Sequence, residues 1–226
     1  METLEKILSS ALLFSQETYG PRRIQEAAAE FCRWNPSLSP TLKTHVSLFT
    51  AWFLFDWTPD ANDSDLPAGV QREDSPFQTW LQRPESQDMP IELLTAAQSL
   101  RGAQFSFFRF SPMATNSGTL KVRDLLTHEE FTSEARAEQA QHESILYGLT
   151  TRSDITREPR FIVLAPEVFA PEAESEILQL SQSWQETPIK PSDLRTYAVE
   201  IFDTYHLLRS RTDSPREPHP GMSGKD

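Results

Sequence analysis

Asp56 stands inside a run of tryptophans and phenylalanines, and it is the first residue whose surroundings point to chemistry. From Val46 to Trp57 only Ser47, Thr50 and Asp56 are polar. A carboxylate in such a run is costly unless paired, and burial perturbs its pKa. Two readings are open. Asp56 is an acid or base, or it accepts a hydrogen bond from a backbone or arginine donor near a helix end. Arg123-Asp124 has the same two readings, and His128 follows closely. Asp56, Arg123, Asp124 and His128 are therefore the catalytic candidates. They would form an acid/base site only if the fold brought them within hydrogen-bond reach.

Other chemistry finds little support. The segment Asp60-Ala-Asn-Asp-Ser-Asp65 resembles a calcium loop at first, but such a loop wants glycine at position six and glutamate at twelve. Those positions are Asp65 and Gln71. The five histidines, His45, His128, His142, His206 and His219, form no paired ligand motif. No metal site and no cofactor is expected. Nucleophile elbows, dinucleotide fingerprints and phosphate loops are absent. Cys32, the single cysteine, sits beside a helix stripe and reads as a small buried hydrophobe.

Charge narrows the partners. The formal net charge is -12, spread over both halves of the chain. A general phosphate-backbone binder needs a basic footprint, and so does a protein docked on anionic lipid. Nucleic acid and membrane are not expected; a protein partner, with basic character, is. Trp52 and Trp57, with Arg209 and Arg211, are the candidate contact residues. Phe105 and Phe107 share one face of a predicted strand, Phe108 and Phe110 the other. Aromatics on both faces predict burial on both sides rather than base stacking. No apolar run reaches the roughly 18 residues of a membrane span. Glu2 and Glu5 precede the first apolar run, unlike a secretory signal. With one cysteine, a cytoplasmic setting is expected.

The elements that must position these residues begin with Leu4, Ile7, Leu8, Ala11 and Leu12, a helical stripe stopped by Gly20-Pro21. A second helix carries Ile24, Ala27, Ala28, Phe31 and Trp34 and ends at Asn35-Pro36. Ser39 and Pro40 open the apolar helix that runs to about Trp57. An acidic loop follows over 58–75, then a short helix at Phe77, Trp80 and Leu81. Pro90 opens another helix, with Ile91, Leu94, Ala97 and Leu100 inward and Gly102 as its C-terminal stop. The period then changes to two. Strands are predicted at 105–110, 120–125, 131–133, 144–150 and 160–164, with a turn at Asn116–Gly118. Pro166 is read as opening a helix with Val168, Phe169, Ile177, Leu178, Leu180 and Trp184. After a break at Thr187-Pro188, Pro191-Ser192 opens a last one with Leu194, Tyr197, Ala198, Ile201, Tyr205 and Leu208. The expected class is α+β. A helical region spans 1–102, an antiparallel meander or small barrel 103–165, two C-terminal helices 166–211, and a disordered tail 212–226.

Two segments carry a resemblance. His45-Val-Ser-Leu-Phe-Thr-Ala-Trp-Phe-Leu-Phe-Asp-Trp57 resembles the F-x-E-W-F-L-F-D-Y helix of a group of poorly characterised bacterial proteins. Thr119-Leu-Lys-Val-Arg-Asp-Leu-Leu-Thr-His-Glu-Glu-Phe131 resembles their V-R-D-L-L-T-G-E strand-turn, with His128 in place of the glycine. The order is the same, and the likeness covers 40–165. Many such proteins look as if they carry a C-terminal SEC-C zinc motif, also found on the tail of the translocation ATPase SecA. This chain has no cysteine there, so zinc-dependent docking is not implied. The resemblance implies a helical half followed by a strand-turn and no agreed activity.

The leading functional expectation is a non-enzymatic adaptor or regulator that binds another macromolecule. The alternatives are a hydrolase or nucleotide-handling enzyme with a fold-assembled acid/base site, and an RNA- or ribosome-associated factor. The sequence leaves the oligomeric state open.

Overall fold

Gly20 sets the shape of the N-terminal half. Helix α1 (Glu2–Phe31) is bent there, where the backbone takes φ 69° and ψ 171° before Pro21 restarts the helix. That conformation is accessible only to glycine. The expected break at Gly20-Pro21 is thus a kink. Ile7, Ala11, Ser15 and Tyr19 are buried before it; Arg23, Ala27 and Phe31 after it. The computed structural model describes residues 2–33, 43–59, 64–112, 120–133, 145–152, 159–184, 194 and 197–213. The expected stop at Asn35-Pro36, the cap at Ser39-Pro40, Asp60–Asp63, the turn at Asn116–Gly118, the break at Thr187-Pro188, the opening at Pro191-Ser192 and the tail beyond 213 lie outside them.

Helix α2 (Lys43–Phe55) is buried on all sides over 51–55, as its lack of a polar face requires. It packs against α1, the short helix α3 (Pro76–Leu81) and the last strand of the sheet. Ser75 and Gln78 close a reciprocal capping box at the start of α3, with Pro76 as its first residue. One turn, α4 (Pro84–Gln87), follows without a signal that the hydrophobic pattern carries. In α5 (Ile91–Ser99) Ala97 and the following Leu100 are buried as expected, but Ile91 is 69% exposed. The stop is not Gly102. Leu100 ends the helix in right-handed conformation, and Gly102 has no positive φ.

The middle of the chain is an open, five-stranded antiparallel sheet, which confirms α+β. The strands are β1 (Gln104–Pro112), β2 (Leu120–Asp124), β3 (Glu130–Ser133), β4 (Ile145–Arg152) and β5 (Pro159–Phe169). Their order is β3-β2-β1-β4-β5, so β4 returns to pair with β1 and the sheet is neither a simple meander nor a barrel. β5 also corrects the expected helix start at Pro166. The strand continues to Phe169, because Pro166 lies in an irregularity: Tyr147 pairs with Glu167, but Leu149 pairs with Ile162. Residues 163–166 are the excess opposite Gly148, so the missing N–H of proline breaks no ladder bond on this edge strand. Helices α6 (Ala173–Ser183) and α7 (Ala198–Asp213) complete the fold.

Both sheet faces are buried at β1, as the two-sided aromatic pattern requires. Phe105 and Phe107 join the main core with the helices, whereas Phe108 and Phe110 cluster with Val122 and Leu146 on the other side. Rings carry the main core from sheet to helices. Phe105 stacks on Tyr147 (5.0 Å between centroids), and Tyr147 on Tyr205 of α7 (4.6 Å). Phe202 lies 4.8 Å from Trp52 of α2 and 5.5 Å from Phe31 of α1.

The kink gives a direct test. A Cβ at residue 20 meets no neighbour, but the backbone angle alone is strained for any L side chain. Gly20→Ala is expected to lower unfolding free energy by about 1–3 kcal/mol, seen as a lower denaturant midpoint at constant m. An unchanged midpoint would show that the bend relaxes freely.

Candidate functional site

The four catalytic candidates divide between the two faces of the sheet. Asp124 pairs in register with Phe108, on the face away from the helices. Its Oδ1 accepts from Ser106 Oγ at 2.8 Å, Leu126 N at 2.9 Å and Thr127 N at 3.1 Å. Leu125 N donates to Phe107 O, and Asp124 N to Glu129 O. Asp124 is therefore the clamp that turns the chain from β2 to β3. Burial raises its pKa above the usual carboxylate value, while the donors from Thr127, Ser106 and Leu126 pull the other way. It is 3% exposed and lines neither cavity described below.

His128 completes this turn at φ 58°, the left-handed conformation that glycine takes without cost. Its Nδ1 lies 3.5 Å from Arg123 Nη2, at the limit of a hydrogen bond. Arg123 is exposed. These three residues build a turn.

Asp56 lies on the helical side, just past the end of α2, where Asp56 N donates to Trp52 O. It lines a cleft with Trp52, Trp57, Glu30, Arg33 and, from α7, Phe202 and Asp203. Trp57 Nε1 donates to Glu30 Oε2 at 3.1 Å, and Arg33 Nη2 reaches Asp203 Oδ1 at 3.4 Å. Trp52 and Trp57 are 4% and 5% exposed, so they form the wall and are not presented as contact residues. The cleft volume is about 60 Å³, room for a few water molecules. Small-molecule sites run to roughly 300–1,000 Å³. Three sequence candidates thus meet here without room for a substrate.

Behind the cleft lie Tyr147 and His206, neither of them among the site candidates drawn from the sequence. The Tyr147 hydroxyl is fully buried, with no hydrogen-bond partner among the described residues. Burial first, then the charges of Asp56 and Tyr205, hold its pKa well above 10. His206 is 1% exposed and lies edge-on to Phe31, Phe202 and Tyr205, with neither ring nitrogen hydrogen-bonded among the described residues. Burial, then the Arg33 charge, lowers its pKa to about 4. The signal was present: Phe202 and His206 are an i, i+4 pair flanking the expected Ile201/Tyr205 stripe. Arg209, on the same helix, is half-buried; the side chain of Arg211 lies outside the described residues. Cys32 is half-buried against the core, and burial raises its thiol pKa, the reverse of an activated nucleophile. Among the described residues no three His, Cys, Asp or Glu side chains could hold a metal ion, and no helix is long and apolar enough to cross a membrane.

The roomier cavity is a groove of about 570 Å³ between α1 and the α3–α4 corner. Leu13, Phe14 and Glu17 come from α1; Trp80, Arg83 and Met89 face them. Leu13 is 58% exposed. Three consecutive apolar residues, Leu12 to Phe14, cannot all turn inward on one helix, and that was the available signal for it. No family model, curated protein or solved structure matches this chain.

Two outcomes check these assignments. Asp124→Ala strands three donors and is expected to cost about 2–3 kcal/mol in urea unfolding, whereas Asp124→Asn keeps an acceptor, loses a buried charge, and stays within about 1 kcal/mol of wild type. Equal losses would mean that the charge, not the acceptor, holds the turn. For His206 the folded pKa lies below the ordinary 6.5, so its neutral form belongs to the fold. The stability it carries is complete above pH 6.5 and is lost as pH falls toward about 4, by roughly 2–3 kcal/mol. His206→Phe is expected to flatten the unfolding free energy across that window; an unchanged slope would place the titration elsewhere.

Proposed function

We propose that the chain is a non-enzymatic interaction protein that binds another protein through the groove between α1 and α3–α4. One observation carries this reading: the groove combines exposed apolar surface with uncommitted acidic side chains. Leu13 is more than half exposed, and Phe14 and Met89 are half-buried beside Trp80. Glu17 and Glu85 on the same groove are exposed and make no ion pair or hydrogen bond among the described residues. An apolar patch rimmed by charge is the common form of a docking surface. The acid/base alternative draws less support, because Asp124 serves its own turn and Asp56 faces a cleft too small for a substrate.

The test is affinity capture from cell extract with nuclease present. Wild type is expected to retain a stoichiometric protein, and Leu13→Glu to lose it. Since Leu13 is exposed, the variant should fold normally. Empty capture by wild type, or equal capture by Leu13→Glu, would overturn the reading.

A further inference from the structure

The chemistry of the groove also selects its occupant. Ser10, Leu13, Phe14, Glu17 and Thr18 follow i, i+3, i+4, i+7, i+8 and form one stripe of α1. The eight helical rises from Ser10 to Thr18 make that stripe about 12 Å long. It is distinct from the buried stripe of Ile7, Ala11, Ser15 and Tyr19, so α1 presents two working faces.

The opposite wall is held in place before anything binds. Ser86 Oγ and Gln87 Nε2 donate to the Leu81 carbonyl at 3.0 and 2.7 Å, which locks the corner between α3 and α4. Arg83 Nη2 donates to Ala68 O at 2.7 Å, and its guanidinium lies 5.5 Å from the centre of the Phe14 ring. Gly69, at φ 79°, lets the loop approach Arg83; a Cβ there would stand 3.3 Å from the guanidinium. A groove with fixed walls loses little entropy on binding.

Arg83, the cation among the described lining residues, is thus committed to a carbonyl and a ring, while Glu17 and Glu85 have no ion pair or hydrogen bond among the described residues. Both walls are helical, so an extended strand would find no row of free N–H and C=O groups to pair with. A helix brings its own backbone bonds. A second copy of this chain also carries -12, and acidic surface would meet acidic surface.

We infer that the groove takes an amphipathic helix of a partner protein, with apolar residues at i, i+4 and i+7 set against Leu13, Phe14, Trp80 and Met89 and lysine or arginine flanking them toward Glu17 and Glu85. This inference rests on the interaction reading above.

The probe is a helical peptide of about 14 residues with leucines at i, i+4 and i+7 and two lysines at each end. Its counterparts have glutamate ends, or lysine ends with the leucines scrambled. Fluorescence anisotropy against the full chain is expected to give at least about tenfold tighter binding for the ordered lysine peptide than for either counterpart. Leu13→Glu should weaken it at least about tenfold, and Glu17→Lys with Glu85→Lys should abolish the preference for lysine ends. Glu172→Lys with Glu200→Lys changes net charge equally at exposed residues outside the groove, and should leave the preference intact. Equal binding of the peptides, no binding of the lysine peptide, or equal effects of the two charge reversals would overturn the inference. If the peptides fail while Leu13→Glu still loses the captured protein, the basic helix falls and the groove stands. If both fail, both fall.

Discussion

The aromatic seam along α7 is the contact on which the rest of the structure depends. Tyr205 stacks on Tyr147 of the sheet, and Phe202 on Trp52 of α2 and against Phe31 of α1. Each such pair contributes about 0.5–1.5 kcal/mol beyond the apolar area it buries. Neighbouring residues of one C-terminal helix thereby tie the sheet to both N-terminal helices. The helical layer and the sheet share one core from Ile7 to Leu208.

That seam also sets the surroundings of the most suggestive residues of the sequence. Trp52, Asp56 and Trp57 meet at the surface of the seam, lining a cleft of about 60 Å³ whose wall includes Phe202, stacked on Trp52. The polar groups nearby are those that a dense aromatic core tolerates poorly: a Tyr147 hydroxyl without a described partner and a neutral His206. The α1 groove is the reverse case. Its walls are pinned by Ser86, Gln87 and Arg83, yet its floor is left open. Packing nearly closes one concavity and leaves the other open.

Local physics was legible in the sequence. Gly20-Pro21 announced the bend, Phe105 to Phe110 announced a strand buried on two faces, and the apolar run announced α2 as the central helix. Non-local physics was not. The return of β4 to β1 depends on pairing across a long segment, which no local period encodes. Pro166 looked like a helix start because its tolerance in β5 depends on the irregularity opposite Gly148. Asp124 and His128 looked like chemistry because a carboxylate clamp and a left-handed residue carry the same letters as an acid and a base. Leu13 lay unused at the edge of a correct stripe, since a helix that serves a core on one face and a groove on the other shows no single clean period.

Amide hydrogen exchange of the full chain, with and without saturating lysine-ended helical peptide, tests most directly which concavity works. The account predicts added protection confined to residues 10–18 and 80–89, with exchange at 52–58 and 198–203 unchanged. Protection centred on the Asp56 cleft, with the α1 groove unaffected, would contradict it.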